Sequence, residues 1–354
     1  MDKLYINKEQ FSDLLNLHYG VFHPLKKFVN EKAFKSILLS NKINKKFFPF
    51  PIYFGVNEEK YKKYRYKKYL NIYYKKKDIG IIKINNFFKI KNELFGKKLF
   101  GVNYKKHPYY IKFLKENFAF IDFSYKKLNK INLNHKNFES PQKLKERLKK
   151  KIKGRKFLAG FHTRNVPHLA HQWIHFFMLK KYKNILIQPL INQYKVDEYK
   201  ESIIIKTNKA AVNMYDKNKA FFSTYFSFPR YGGPCEAALH AIVRKNYGCT
   251  HCWIGRDHAG YKSFFKKYSS QQFCKKNEKK MGINIIAEDE PYFCSKCDKI
   301  VNKKCSLKNC KKKYKKNVSG TIIRNLIKRK KKINDYLMNK NISTLLNSNS
   351  LIKK

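Results

Sequence analysis

Two histidines three residues apart, His168 and His171, follow Arg164 and Asn165 in the segment Phe161-His162-Thr163-Arg164-Asn165-Val166-Pro167-His168-Leu169-Ala170-His171. Further on, Gly255-Arg256-Asp257-His258-Ala259-Gly260 again sets an arginine beside a histidine. A guanidinium fork matches an oxyanion bidentately, and imidazoles add hydrogen-bond donors. Two such clusters with one carboxylate between them suit a ligand carrying several negative charges. A third set is different: Cys294-x2-Cys297-x7-Cys305-x4-Cys310 places four thiols at metal-ligand spacing.

The elements that must position these groups are legible around them. The apolar run from Lys156 to Gly160 reads as a buried strand, and Leu169 to Leu179 carries apolar residues at helical spacing. Pro167 opens that helix, where its missing N–H costs nothing. Arg164 and Asn165 then lie in a strand-to-helix turn, with His168 and His171 on the first turns of the helix. Free backbone N–H groups and the positive end of the dipole complete a phosphate site. Cys252 to Gly255 reads as a second strand, with Arg256 to Gly260 as the polar turn at its end. In an open parallel sheet such loops meet in one crevice. Other readings exist for each group. The histidines could be ordinary surface residues, or metal ligands with His175 one turn along the same face. The arginines could be structural ion-pair partners, and Asp257 could orient its own turn by bonding local N–H groups. The strand–turn–helix setting favours phosphate.

The chain has 354 residues, 43% hydrophobic and 16% aromatic, enough for two or three cored domains and too apolar for disorder. Residues 1–150 mix short β-rich runs with Lys/Asn turns and few helices, Glu31 to Leu39 being the clearest; they read as a β-rich domain. Ser140 to Lys153 reads as a charged amphipathic helix. From residue 157 to 290 strand and helix alternate: strand 157–161, helix 167–182, strand 184–191, helix 201–215, strand 221–226, helix 235–247, strands 251–255 and 283–287. This is the pattern of a doubly wound α/β domain. Residues 291–354 form a small C-terminal region: the cysteine loop, a short helical stretch and a Lys/Asn/Ser tail from about Asn339 that reads as a frayed end.

A net charge of +56 is extreme. It points either to a nucleic-acid or acidic-membrane partner or to the Lys/Asn/Ile/Tyr/Phe bias of an AT-rich genome. Lysines run from Lys3 to Lys354 and are thickest in surface-like stretches such as Lys60 to Lys77, so the compositional reading leads and nucleic acid is not the expected partner. There is neither a signal peptide nor an apolar stretch of membrane-spanning length, which makes a cytoplasmic enzyme the expectation. Reduced or metal-bound thiols follow. Four of the eight cysteines fall between 294 and 310, and two knuckle-like pairs fit structural Zn²⁺; Cys249 and Cys252 lack a second pair and read as core thiols.

These motifs resemble those of the ATP sulfurylase (sulfate adenylyltransferase) family, which carries Gln-Thr-Arg-Asn-Pro-x-His-x-x-His and Gly-Arg-Asp-His-Ala-Gly. Arg230-Tyr231-Gly232-Gly233-Pro234-Cys235-Glu236-Ala237 is similar to the family's Arg-Tyr-Ala-Gly-Pro-Arg-Glu-Ala. Gly20-Val21-Phe22-His23-Pro24-Leu25 and Ser319-Gly320-Thr321-Ile322-Ile323-Arg324 extend the likeness to both ends. The chain departs from the pattern at His162 (Gln in the family), at Cys235 (often Arg), at Tyr261-Lys262 (often Pro-Gly) and in the order Asn165-Val166-Pro167. The resemblance implies a Rossmann-like nucleotidyltransferase domain with a PUA-like N-terminal domain. It implies MgATP and sulfate as substrates, adenosine 5′-phosphosulfate and pyrophosphate as products, and no membrane partner; a homodimer is left open. By the same resemblance His168 and His171 contact the ATP phosphates and stabilise departing pyrophosphate, and Arg164 takes sulfate. His162, Thr163, Asn165 and the segment Gly255, Arg256, Asp257, His258, Ala259, Gly260 hold sulfate and nucleotide. Some bacterial members carry zinc near the cysteine loop. The alternatives are another nucleotidyltransferase of the same superfamily and, behind it, a basic nucleic-acid-binding protein.

Overall fold

The computed structural model describes residues 1–130, 134–152, 157–192, 196–302 and 312–353. They divide into two compact units. One comprises Met1–Gln142, Pro229–Tyr247 and Asp257–Ile283; the other comprises Lys143–Phe228, Gly248–Arg256 and Asn284–Lys354.

The first unit is built on a five-stranded sheet. Its strands are β1 (Lys3–Ile6), β4 (Gly55–Val56), β5 (Tyr69–Tyr74), β6 (Lys77–Phe88) and β7 (Ala119–Leu128), in the order β1-β5-β6-β7-β4, and a hairpin of β2 (Lys42–Ile43) and β3 (Lys46–Phe47) stands apart. Only β1 and β5 run parallel. Five helices accompany the sheet: α1 (Lys8–His18), α2 (Glu31–Ser40), α3 (Glu58–Tyr64), α4 (Asn92–Phe100) and α5 (Pro108–Glu116). The segment is thus more helical than its composition suggests. Asparagine explains much of this. Asn7, Asn30 and Asn57 each cap a helix by accepting a backbone N–H three residues on, which makes an Asn-rich chain a source of helix starts. The core is aromatic. Phe34, Tyr53, Phe95, Phe113 and Phe120 pack ring against ring, with Phe95 and Phe113 stacked at 4.0 Å.

The later segments of this unit add α9 (Gly233–Asn246), α10 (Ser269–Lys276) and α11 (Glu278–Met281). Arg230, just before α9, is fully buried against Asp13 of α1, with Nη2 2.5 Å from the carboxylate. Burial pushes the Asp13 carboxyl up to about 6, and the Arg230 charge pulls the other way.

The chain enters the second unit within α6 (Pro141–Lys149), which is shorter than the helix read to Lys153; residues 153–156 lie outside the described ones. There β8 (Ala159–Thr163), β9 (Ile185–Ile191), β10 (Ala220–Phe222), β12 (His251–Trp253) and β13 (Asn284–Ile286) form a parallel sheet in the order β10-β9-β8-β12-β13, and β11 (Tyr225–Phe226) pairs with the far end of β9. All seven residues of β9 are buried, as a strand covered on both faces requires. The path starts at β8, moves outward through β9 and β10, then returns to the other side of β8 as β12 and β13. Strand order therefore reverses between β8 and β12, the position at which doubly wound sheets bind ligands. Helices α7 (Leu169–Tyr182) and α8 (Glu201–Asn213) follow β8 and β9. Phe161, Ile174, Met178, Ile185, Ile187 and Trp253 make the core of this unit.

A small antiparallel sheet of β14 (Tyr292–Cys294), β15 (Lys299–Val301) and β16 (Lys315–Lys316) comes next, then α12 (Gly320–Lys328) and α13 (Lys340–Ser343). The tail is not frayed. Asp197 and Lys200 donate backbone hydrogen bonds to Ile352 and Ser350, and Leu351 is buried. Main-chain pairing outweighs the polar composition here. Among the described residues no helix is long and apolar enough to cross a membrane.

Candidate active site at the strand ends

The first motif sits at the carboxyl end of β8, on the switch-point side. His162 and Thr163 are the last two residues of the strand rather than part of the turn, because β8 runs two residues beyond the strand read at 157–161. The Thr163 hydroxyl accepts the Asn165 N–H at 3.0 Å and closes the turn. The helix begins later than Pro167 suggests. His168 is extended at φ −111° and ψ 171° and serves as the N-cap of α7, its Nδ1 accepting the His171 N–H at 3.3 Å. Pro167 therefore precedes the cap.

That cap settles what His168 can offer. With Nδ1 engaged as acceptor, the neutral ring carries its proton on Nε2 and presents one donor. His171 stacks on it, with ring centroids 3.7 Å apart. Burial pushes His168 well below the ordinary histidine range, helped by the neighbouring His171 and His175. It pushes His171 down to about 4, with a hydrogen bond at the Val166 backbone acting the other way. Two neutral imidazoles thus lie at the start of α7 near neutral pH. His168 can donate its Nε2–H to a phosphate oxygen, and His171 can do so when its N–H turns from the Val166 carbonyl to the ligand; the positive charge comes from Arg164 and the helix dipole. His175 plays another part. It is fully buried, with Nδ1 3.1 Å from the Tyr215 hydroxyl, and Phe161 meets both His171 and His175 edge-on. It is a core histidine rather than a third ligand on the face.

Both candidate arginines are paired with carboxylates. Arg164 Nη1 lies 3.8 Å from Glu198, and Arg256, at the carboxyl end of β12, pairs with Glu290. The Arg164 and Arg256 side chains are 38% and 32% exposed. Partly exposed pairs of this kind are worth only ~0–1 kcal/mol, so a multiply charged oxyanion can compete for either guanidinium. Arg324 joins the site from α12, and motif resemblance alone had given it no role. Its Nη1 donates to Asn165 Oδ1 at 2.8 Å. Gly320 lies so close to Asn165 that a Cβ there would come within 2.9 Å of the amide. Asn208 adds a bond to the Asn165 carbonyl at 3.3 Å. The turn is thus held by residues from α8 and α12, and the Ser319–Arg324 motif was the available signal.

Asp257 to Gly260 belong to the first unit. Ala259 is left-handed at φ 57° and accepts the Gly233 N–H at 3.0 Å; Ser270 donates to the His258 carbonyl at 2.8 Å. The His258 ring is oriented from α9: its Nε2 is 3.1 Å from His240 Nδ1, and His240 Nε2 is 3.6 Å from Glu236. Glu236 also accepts the Arg230 and Gly232 N–H groups at 2.9 and 2.8 Å. Sequence reading gave Glu236 and His240 no role; the signals were the place of Glu236 in the Arg230–Ala237 motif and the i, i+4 spacing of the two on one helix.

Cys294 is buried at the end of β14, and Cys297 lies in the turn to β15. Cys305 and Cys310 lie outside the described residues. The Ser295 N–H donates to the Tyr314 carbonyl at 2.9 Å, which ties the Cys294–Cys297 turn to the start of β16.

Residues 135–349 match the family model for ATP-sulfurylase, and residues 1–121 match that for a PUA-like domain. The chain is 29% identical over 348 residues to the sulfate adenylyltransferase of Pyrococcus abyssi, covering 98% of this chain and 90% of that one. It is 32% identical over 310 residues to the sulfate adenylyltransferase of Carboxydothermus hydrogenoformans, covering 85% and 80%. Among solved structures, the hexameric APS kinase from Thiobacillus denitrificans superposes with a TM-score of 0.74 over 98% of this chain at 14% identity, a likeness of fold; the chain spans 62% of that protein's length. With a family model matched across more than half its length and its motifs at the ends of β8 and β12, the chain belongs to the ATP-sulfurylase family.

Proposed function

We propose that the protein is a sulfate adenylyltransferase, converting MgATP and sulfate to adenosine 5′-phosphosulfate and pyrophosphate. The observation that carries this reading is the placing of two Arg-bearing turns at the carboxyl ends of β8 and β12, where strand order reverses. A sulfate oxygen attacks the α-phosphorus in line; the new P–O bond forms as the bond to the β-phosphate bridging oxygen breaks, and pyrophosphate leaves with its Mg²⁺. No protein nucleophile is needed. The protein holds two mutually repelling anions in register and neutralises charge as it develops.

In this account His168 donates Nε2–H to the departing phosphates, and His171 turns its N–H from the Val166 carbonyl to join it. Arg164 turns from Glu198 to sulfate while Arg324 holds Asn165 in place. Thr163 shapes the turn and His162 faces sulfate in place of the family's glutamine. Gly255 and Arg256 receive sulfate and nucleotide, and Asp257, His258, Ala259 and Gly260 complete the nucleotide contacts. The reverse reaction tests the assignment: adenosine 5′-phosphosulfate and pyrophosphate should yield ATP, and failure to form ATP would count against it.

Three finer points belong to the same reading. The domains run 1–150, 151–290 and 291–354, a division that limited proteolysis would check. The protein works in the cytoplasm, and sedimentation equilibrium distinguishes the homodimer that the resemblance leaves open from a monomer. Cys294, Cys297, Cys305 and Cys310 bind one structural Zn²⁺. The hairpin geometry of Cys294 and Cys297 supports this, and a tetrathiolate site would stabilise a small sheet with few apolar residues of its own. Cys297→Ser should then lower thermal stability and zinc content together. Stable enzyme purified without chelator and free of zinc would rule the site out.

A further inference from the structure

A cavity of about 520 Å³ lies wholly within the first unit; His23 and Pro24 of the Gly20–Leu25 motif form part of its wall, and no residue of the two Arg-bearing turns lines it. Its floor is apolar: Phe47, Ile242 and Met281 line it and are buried. Five lysines surround that floor. Lys42, Lys45 and Lys46 come from the β2–β3 hairpin, Lys245 from the last turn of α9 and Lys280 from α11. No acidic side chain lines the cavity, and among the described residues none of the five lysines is ion-paired. Like charges gathered without a counter-charge repel one another. A lysine-rich surface alone predicts scattered lysines, not five converging from three elements on one apolar floor.

The hairpin supplies a second, independent sign. Lys42 pairs with Phe47 and Ile43 with Lys46, leaving a two-residue loop, Asn44-Lys45, with φ of 46° and 65°. Such a loop favours Asn followed by Gly, because both positions need positive φ. Asn44 meets the rule. Lys45 stands where glycine is favoured, bears the strain of a left-handed side-chain residue, and lines the cavity. On the opposite side Gly282, left-handed at φ 69°, leaves room for Lys245: a Cβ there would come within 2.8 Å of Nζ. The cavity is also separate from the second-motif turn. Gly233 at the start of α9 touches Ala259, and Lys245 is twelve residues further along, roughly 18 Å at 1.5 Å per residue.

We propose that this cavity is a second anion site, which takes a small phosphate-rich molecule with its charges on the lysine ring and any flat or apolar part on the floor. Its volume suits a small ligand, within the usual range of roughly 300–1,000 Å³. The inference does not rest on the transferase reading, since it is tested by binding alone.

The probe is inorganic tripolyphosphate, titrated calorimetrically at about 0.15 M salt, where exposed charges are screened beyond ~8 Å. Tripolyphosphate can also bind at the start of α7, so the titrations are run in a His168→Ala background and in wild type. The Lys45→Ala, Lys46→Ala, Lys245→Ala triple variant should lose the second binding component, with affinity at least tenfold weaker. It should keep wild-type melting behaviour. A charge-matched control, Lys75→Ala with Lys76→Ala and Lys77→Ala in the exposed turn after β5 and at the start of β6, should bind like wild type. An unchanged titration in the cavity variant would overturn the proposal. Equal weakening in the control would overturn it too, since binding would then belong to the diffuse lysine coat.

Discussion

Replacing His168 by alanine is expected to lower turnover by roughly 10²–10³-fold, the scale of removing one preorganised donor from a developing anion. The structure gives His168 two jobs, and the variant removes both. Nδ1 caps α7 and Nε2–H is the donor left for substrate. Loss of the cap alone costs about 1 kcal/mol of stability and need not slow chemistry. Asparagine separates the two jobs, because it caps helices well but cannot place a donor where Nε2 lies. His168→Asn should therefore melt close to wild type and still lose turnover by a similar factor. His171→Ala should lose activity on the same scale. Near-normal turnover in His168→Asn would reduce His168 to a helix cap.

The second large effect is on stability. Asp13→Ala should destabilise the protein by about 3–5 kcal/mol, because it removes one partner of a buried ion pair and leaves the Arg230 guanidinium buried without the Asp13 carboxylate. The raised Asp13 carboxyl shows how much burial works against its charge. The pair is thus costly to form, yet much costlier to break on one side. Removing both charges, as in Asp13→Ala with Arg230→Met, should recover most of the loss. Chemical denaturation of wild type and the two variants reads this directly, and an Asp13→Ala protein as stable as wild type would contradict the cost assigned to breaking the pair. Because Arg230 and Gly232 donate to Glu236, which faces His240 and through it His258, the single variant should also loosen that histidine row.

The strand–turn–helix at Phe161–His171 was legible because it is local. An apolar run, a polar turn and a helical period fall within a short stretch, and turn chemistry constrains each position. Its limits shifted by two residues: β8 extends through Thr163, and His168, not Pro167, begins the helix. Propensity gave Pro167 the first turn, and a side-chain cap that sequence statistics rarely assign to histidine took its place. The partners of the arginines were not legible. Glu198 and Glu290 are separated from Arg164 and Arg256 by more than a helix of sequence, and nothing in composition says which carboxylate will reach which guanidinium. The same holds for Arg324 on Asn165 and for Glu236 and His240 behind His258. Such contacts arise from tertiary approach, and a single sequence shows only their helical spacing. The helices of the first 150 residues were under-read for another reason. Lysine and asparagine blur the apolar period there, while the same asparagines supply the caps that start α1, α2 and α3.

The reading stands most directly on one assay: pyrophosphate release from MgATP by the purified protein, with and without sulfate. Release should appear only when sulfate, or molybdate in its place, is present, since a second anion must occupy the site for the α-phosphorus to be attacked. Pyrophosphate released at the same rate without either anion, or none released with both substrates present, would contradict the account.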